Sequence, residues 1–428
     1  MSGNLLAILG IILVLLLLFY GANIGLSLIA VGFVGYAIIR NFSASFVLLR
    51  TTFISTLMNS TYIVIPLFIL MGNFAWRSGI SDDMFNAAKA WFGRTRGGLA
   101  YAAVVACAAF GAICGAIQAT TATMCNVGKP VMRENNYKDE IIGGTLATGG
   151  TLGSLIPPSN SFIVYGIIAE VSITSLFKAG IIPGILMAIL FCATIFVWTK
   201  IDPQVAPGGR RYTAKEKIKG SIGFVPMILL FVIVLGGMFT GILSIIEAAV
   251  AGCFVAFLFM VFRKKCTWKV FKQCIFDTVT ATGMTLMALA GASIFGAFLT
   301  MTQLPMNLAT FVKGLSLPSW VIITLIILLF AILGCFMDTI TIVILTVPIF
   351  LPIITSLGYD PIWFGVIMTM VTNLGVITPP MGVICYVASS MLDIKLGKVF
   401  KGAMMYLVAF VVAFILIVAF PQLSLCLT

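Results

Sequence analysis

The residues of this chain best suited to chemistry are two tandem prolines and the small polar groups beside them. Pro157-Pro158 stands in Gly153-Ser-Leu-Ile-Pro-Pro-Ser159, and Pro379-Pro380 in Gly375-Val-Ile-Thr-Pro-Pro-Met381. Paired prolines inside a helix remove two backbone donors and free the carbonyls four residues back. In lipid each unsatisfied group is costly, so such a break belongs where it lines a cavity or binds an ion. Glycine ahead of each break lets the backbone turn and bare its carbonyls, and a hard cation such as sodium prefers these oxygens. The helix that restarts beyond the prolines points its positive end at the gap, where a carboxylate can sit. Ser159, Asn160 and Ser161 follow the first break, placed to donate hydrogen bonds to that anion. The plainer alternative is a pair of kinks packed in protein. The duplication, with polar residues alongside, favours binding.

Two Gly- and Pro-broken stretches, 97–132 and 319–357, supply further candidates. The first tip reads Phe110-Gly-Ala-Ile-Cys-Gly115-Ala-Ile-Gln118-Ala-Thr120-Thr121, the second Gly334-Cys-Phe-Met-Asp338-Thr339-Ile-Thr341. Asp338 is the one acid deep in an apolar stretch of the second half. An intramembrane carboxylate marks function, but a structural carboxylate bonded to backbone amides at the tip accounts for Asp338 nearly as well. With Thr339 it is a candidate substrate contact. The chain has no His, and its 10 Cys form no CxxC pair, so disulfide and zinc patterns are missing. GxxxxGK[ST] does not occur, which leaves ATP hydrolysis without support.

These residues need elements that hold them in a bilayer. Of 428 residues, 61% are hydrophobic and 9% charged, against about 25% charged in soluble domains. The chain therefore reads as an all-α polytopic membrane protein, and its net charge of +12 as basic cytoplasmic loops rather than a nucleic-acid surface. Residues 1–4 lack the basic start of a cleaved signal peptide, so a first membrane helix is expected there. A crossing needs roughly 20 apolar residues, which predicts crossings at 4–20, 23–39, 56–76, 141–172, 174–199, 222–240, 242–262, 278–300, 363–392 and 403–421. Polar or amphipathic pieces lie at 77–96, 129–140, 200–221, 263–277 and 303–318. Basic residues at 77–96, 200–219 (Arg210 and Arg211 among them), 263–272 and 395–401 mark the cytoplasmic side. That scheme is consistent only if 97–132 and 319–357 each enter and leave on one side, as re-entrant hairpins from opposite faces.

An internal repeat supports the division. Pro130 and Tyr137 precede Pro157-Pro158 by 27 and 20 residues, and Pro352 and Tyr359 precede Pro379-Pro380 by the same 27 and 20. Gly111 lies 42 before Gly153, and Gly334 lies 41 before Gly375. Five crossings per half give the halves opposite orientation, an inverted-topology repeat of the kind found in secondary transporters. The first repeat is 1–199: helices 1–76, an arm 77–96, a hairpin 97–132 and a broken helix 141–172. The second is 200–428: helices 222–277, an arm or linker 278–318, a hairpin 319–357 and a broken helix 363–392.

At these motifs the chain resembles the large membrane subunit of a tripartite ATP-independent periplasmic (TRAP) transporter, and is similar to its sialic-acid branch. The resemblance covers nearly the whole chain. It rests on Ile65-Pro-Leu-Phe-Ile-Leu-Met-Gly72, Gly153-Ser-Leu-Ile-Pro-Pro-Ser159 with Tyr165-Gly166, and Leu176-Phe-Lys-Ala-Gly180-Ile-Ile-Pro-Gly184. In the second half it rests on Met337-Asp338, Gly358-Tyr-Asp-Pro361-Ile-Trp-Phe-Gly365 and Ile377-Thr-Pro-Pro-Met-Gly382.

The resemblance implies a sodium-coupled importer of a small organic acid (sialic acid or C4-dicarboxylate class) working by an elevator movement. The setting would be the bacterial inner membrane, with both termini periplasmic. It also implies a small four-helix membrane subunit and a periplasmic substrate-binding protein as partners. Residues 1–76 and 200–277 would form most of the scaffold, and the hairpins and broken helices the moving part. One sodium site would use Gly111, Cys114, Gly153, Ile156 and Pro158, the other Gly334, Gly375, Thr378 and Met381. Family members often carry Ser where this chain has Cys114, which sets a thiol where a hydroxyl ligand would stand.

Three other readings are weaker. A carboxylate carrier working without a binding protein shares the site chemistry. An intramembrane aspartyl protease wants two facing carboxylates, and Gly115 stands where a partner for Asp338 would be. A channel would show a repeated filter motif, and none is identifiable.

Overall fold

Apolar runs of 16–34 residues punctuated by Asn, Ser, Thr and Asp caps become helices, because a bilayer demands that each span satisfy its own backbone. A computed structural model describes residues 3–209, 212–314 and 318–428. Arg210 and Arg211 of the basic loop lie outside them. The first half runs α1 (Gly3–Phe19), α2 (Ile24–Ile39), α3 (Phe42–Met58), α4 (Val64–Ser78), α5 (Ile80–Phe92), α6 (Gly98–Cys114), α7 (Ile117–Glu134), α8 (Asp139–Gly150), α9 (Leu152–Leu155), α10 (Asn160–Ile168) and α11 (Ile173–Ile201). The second runs α12 (Ala214–Ser221), α13 (Val225–Phe231), α14 (Gly237–Phe239), α15 (Ile245–Phe262), α16 (Trp268–Met301), α17 (Leu304–Gly314), α18 (Ser319–Gly334), α19 (Thr339–Ser356), α20 (Pro361–Gly375), α21 (Val383–Leu392), α22 (Leu396–Met404), α23 (Leu407–Ala419) and α24 (Gln422–Leu425). Among the described residues the sole β feature is a bridge between Arg96 and Gly208.

Both hairpins and both broken helices form where the Gly and Pro spacing places them. α6–α7 and α18–α19 are the hairpins. α8–α9 and α10 flank Pro157-Pro158, while α20 and α21 flank Pro379-Pro380. The halves pack reciprocally: α2 lies along α16 as α15 lies along α4, and α10 meets α19 as α21 meets α7. At the centre, Asn373 Nδ2 donates to the Thr151 carbonyl at 3.2 Å and Ser154 Oγ donates to Asn373 Oδ1 at 2.8 Å. Thr151 and Asn373 are 222 residues apart, the same interval that separates the proline pairs. Equivalent positions thus touch across a pseudo-two-fold axis.

The basic segments join on one face. Arg263 pairs with Asp83 at 2.5 Å, Lys138 with Asp202 at 2.8 Å, and Lys398 with Asp139 at 2.7 Å. The hydrogen bond from Lys138 holds the Asp202 carboxyl below its usual range. The first hairpin begins and ends beside these loops. The second begins and ends at the other face, near the Trp363 Nε1 bond to the Ile417 carbonyl at 3.2 Å.

Three expectations are corrected. The crossing placed at 56–76 is a pair, Phe42–Met58 and Ser60–Ser78, bent by 55°. Thr, Ser and Arg50 dilute the apolar run over 42–55, yet the helix forms there. The polar piece 263–277 and the crossing 278–300 are one 34-residue helix, α16, so the boundary between helices 222–277 and a linker 278–318 falls inside it. Lys269, Lys272 and Asp277 interrupt hydropathy there without breaking backbone bonds. Residues 278–301 are no linker: they pack on Gly25, Gly32 and Gly35 of α2. The last crossing starts at Leu396 rather than 403, since Lys398 and Lys401 can snorkel from a membrane helix end.

α8 and α22 meet backbone to backbone at Gly144 and Gly402, where an added Cβ on Gly402 would overlap the Glu140 carbonyl. Gly402→Ala should therefore destabilise the protein by about 1–3 kcal/mol, lowering the thermal unfolding midpoint in detergent. Gly397→Ala, which meets open space, should not.

Candidate functional site

Each hairpin tip docks on one proline break, through glycine. An added Cβ on Gly111 would lie 2.6 Å from Gly153 Cα, and one on Gly334 would lie 2.9 Å from Gly375 Cα. Backbone thus meets backbone at both junctions, which side chains would prevent. The amide beyond each break then donates to the tip: Asn160 N to the Gly115 carbonyl at 3.0 Å, and Gly382 N to the Cys335 carbonyl at 3.2 Å. Gly115 (φ +66) and Gly382 (φ +52) take the left-handed conformation these turns require.

The first junction is buried: Pro157, Pro158 and Ser159 are enclosed, with Ile156 packed on Gly184. Lacking N–H groups, the prolines leave the Gly153 and Ser154 carbonyls without helical donors. The Ser159 hydroxyl donates to the Ser154 carbonyl and accepts from Phe162 N at 3.4 Å, capping α10. Among the described residues no donor reaches the Gly153 carbonyl.

The second junction is more open, with Met381 42% exposed. Its carbonyls are met locally: Thr378 N donates to Gly375 at 2.9 Å, Ile384 N to Val376 at 3.1 Å, and the Thr378 hydroxyl to Leu374 at 2.6 Å. Asp338 caps α19, accepting from Thr341 N at 3.4 Å and from the Thr341 hydroxyl. Thr339 is buried, and its hydroxyl has no hydrogen-bond partner among the described residues.

Beside the first junction lies a cavity of about 380 Å³. Cys114, Gln118 and Asn160 line it from the hairpin and α10; Asn73, Trp76 and Asp277 line it from α4 and α16. Asn73 Nδ2 donates to Thr278 Oγ1 at 2.9 Å, and Arg77 pairs with Asp277 at 2.9 Å while lying over Trp76. The Gln118 and Asn160 side chains make no hydrogen bond among the described residues, so two primary amides face the space. Of the Ser159-Asn160-Ser161 run only Asn160 faces it. Ser159 and Ser161 are buried and do not line it, since helix geometry turns neighbouring residues about 100° apart. Gln118, Asn73 and the Arg77–Asp277 pair were not singled out from sequence. A polar residue on an apolar hairpin was the available signal for Gln118.

No group of three His, Cys, Asp or Glu side chains that could hold a metal occurs among the described residues. A cation here would be held by main-chain carbonyls and neutral side chains, which suits a hard ion and disfavours a transition metal.

Residues 11–423 match the family model described as the DctM component of the tripartite ATP-independent periplasmic transporter. The chain is 32% identical to the C4-dicarboxylate TRAP transporter large permease protein DctM of Pseudomonas aeruginosa, over 86% of each chain. It is 31% identical to the sialic acid TRAP transporter large permease protein SiaM of Vibrio cholerae, over 96% of each. Its fold is similar to that of the Alcanivorax borkumensis YdaH transporter, with a TM-score of 0.67 and 14% identity over 89% of each chain.

The capping role of Asp338 is testable. Asn caps as well as Asp, whereas Ala costs about 1 kcal/mol. Asp338→Asn should keep the wild-type thermal midpoint and Asp338→Ala should lower it. Equal midpoints for all three would remove the cap assignment.

Proposed function

The chain belongs to the DctM-component family of TRAP transporters, and from that premise we propose that it imports a small organic acid in exchange for the energy of a sodium gradient. It is a multi-pass bacterial inner-membrane protein, the large subunit of a secondary transporter, and no enzyme. The observation that carries the finer reading is the paired docking of hairpin tips on proline breaks. It gathers main-chain oxygens inside an apolar medium, twice, in equivalent places.

At the first junction sodium would be held by carbonyls among Gly111, Cys114, Gly153, Ile156 and Pro158, and the Gly153 oxygen has no competing donor. At the second, Gly334, Gly375, Thr378 and Met381 would contribute. The acid would lie in the cavity beside the first junction. The start of α10 offers its positive end there, and Asn160 and Gln118 offer amide donors. Both named relatives are described for carboxylates, a C4-dicarboxylate and a sialic acid, which supports an organic acid as substrate.

The cavity lies between the α4–α16 pair and the first hairpin. This arrangement fits an elevator, in which α4 and α16 stand still while hairpins and broken helices move together. With the basic face cytoplasmic, both termini are periplasmic. A periplasmic binding protein would then deliver substrate to that side, and a small four-helix subunit would brace the scaffold.

Uptake in proteoliposomes, with both partners present and an imposed sodium gradient, tests the coupling. Acid accumulation should collapse when potassium replaces sodium. Thr378→Val keeps shape but removes a hydroxyl ligand, and should raise the sodium concentration for half-maximal uptake about five- to tenfold. Gly153→Ala, whose Cβ would press on Thr120 Oγ1 at 2.6 Å, should weaken sodium activation too. Unchanged sodium curves in both variants would sink the site assignment.

A further inference from the structure

A second concave site lies apart from the transport junctions, on the basic face. It measures about 580 Å³ and sits between the end of α5, the loop into α6 and the last turns of α11. Phe92, Tyr101, Cys192 and Phe196 give it apolar walls, while Arg96 and Lys200 bring two cations. Phe196 is 52% exposed, on a flank of α11 that also shows Ile189 and Val197. One side of the site therefore opens onto an apolar, membrane-facing surface.

Both cations lack a carboxylate partner among the described residues. Lys200 Nζ instead lies 4.5 Å from the centre of the Phe196 ring. The nearest acid along the chain, Asp202, is held by Lys138 at 2.8 Å. Snorkelling would account for a single cation at a helix end. It does not account for two, from segments about 100 residues apart, converging on one apolar-walled hollow.

We propose that this hollow binds an anionic phospholipid of the leaflet at the basic face, its phosphate held between Arg96 and Lys200 and an acyl chain laid along Phe196 and the flank of α11. Guanidinium and ammonium donors suit a phosphate, and basic pockets between membrane helices recognise anionic headgroups. The apolar walls and the lipid-facing mouth favour a lipid over a free anion. The site ties the loop that joins the α5 arm to the first hairpin to the end of α11, so a bound lipid would brace that joint.

Native mass spectrometry of the detergent-purified full chain, exposed to phosphatidylglycerol and phosphatidylethanolamine in equal amounts, tests this. Wild type should retain phosphatidylglycerol preferentially. Arg96→Gln with Lys200→Gln should weaken that binding roughly 25-fold, at about fivefold per basic residue, while Arg96→Lys with Lys200→Arg should preserve it. Should the double variant elute abnormally, Lys200→Gln alone should still lower binding about fivefold. Arg94→Gln, outside the cavity lining, should change nothing. Equal retention of the two lipids, undiminished phosphatidylglycerol binding in the Gln variants, or full displacement by inorganic phosphate would overturn the proposal.

Discussion

The structure depends on holding two proline-broken stretches of backbone inside an apolar medium without letting lipid reach the carbonyls they free. An unsatisfied carbonyl in hydrocarbon is costly, and two proline pairs free such carbonyls by design of sequence. The fold answers by bringing a second piece of broken backbone against each break. Gly111 on Gly153 and Gly334 on Gly375 close the distance to van der Waals contact. The amides of Asn160 and Gly382 then bind each tip to its break. Without glycine at these positions the hairpin would stand off, and the gap would be open to lipid or bulk water.

That local demand sets the wider architecture. A hairpin that reaches mid-chain breaks from one face needs a counterpart from the other, and the reciprocal packing of α2 on α16 and α15 on α4 provides two matching supports. The Asn373 contacts to Thr151 and Ser154 fix the two broken helices at their shared axis. A single Asn serves a pair of equivalent positions, because on such an axis each residue meets its own counterpart. The pseudo-symmetry is therefore not carried to every side chain. Asp338 caps α19, whereas Ala116 at the start of α7 makes no side-chain cap.

Much of this is legible in the sequence alone. Repeated spacings of Gly, Pro and Tyr revealed the inverted repeat, since backbone breaks leave a residue-type signature that survives divergence. The contact of Gly111 with Gly153 follows from the same signature. Hydropathy failed where charge and helix coexist: α16 carries Lys269, Lys272 and Asp277 in its first turns, and α3 carries Arg50 among Thr and Ser. Side-chain direction was also hidden. Ser159, Asn160 and Ser161 look alike in sequence, yet a helix start sends one inward as a cap, one to the cavity and one into packing. The Arg77–Asp277 pair joins residues 200 apart in the chain, and no local pattern marks it.

The two junctions differ in a way that matters for their chemistry. At the first, Ser159 quiets one freed carbonyl and leaves Gly153 as the unclaimed one, buried in the protein near a cavity that a few polar side chains enter. At the second, Thr378 N, Ile384 N and the Thr378 hydroxyl take up the local carbonyls, and Met381 lies open. A cation entering the first junction would find an oxygen free of internal hydrogen bonds, whereas at the second it would share oxygens that already accept one. Equivalent folds thus present unequal readiness. The inequality lies in the backbone donors: the Thr378 amide turns to Gly375, whereas the equivalent Ile156 amide donates to Leu152 and leaves Gly153 unclaimed.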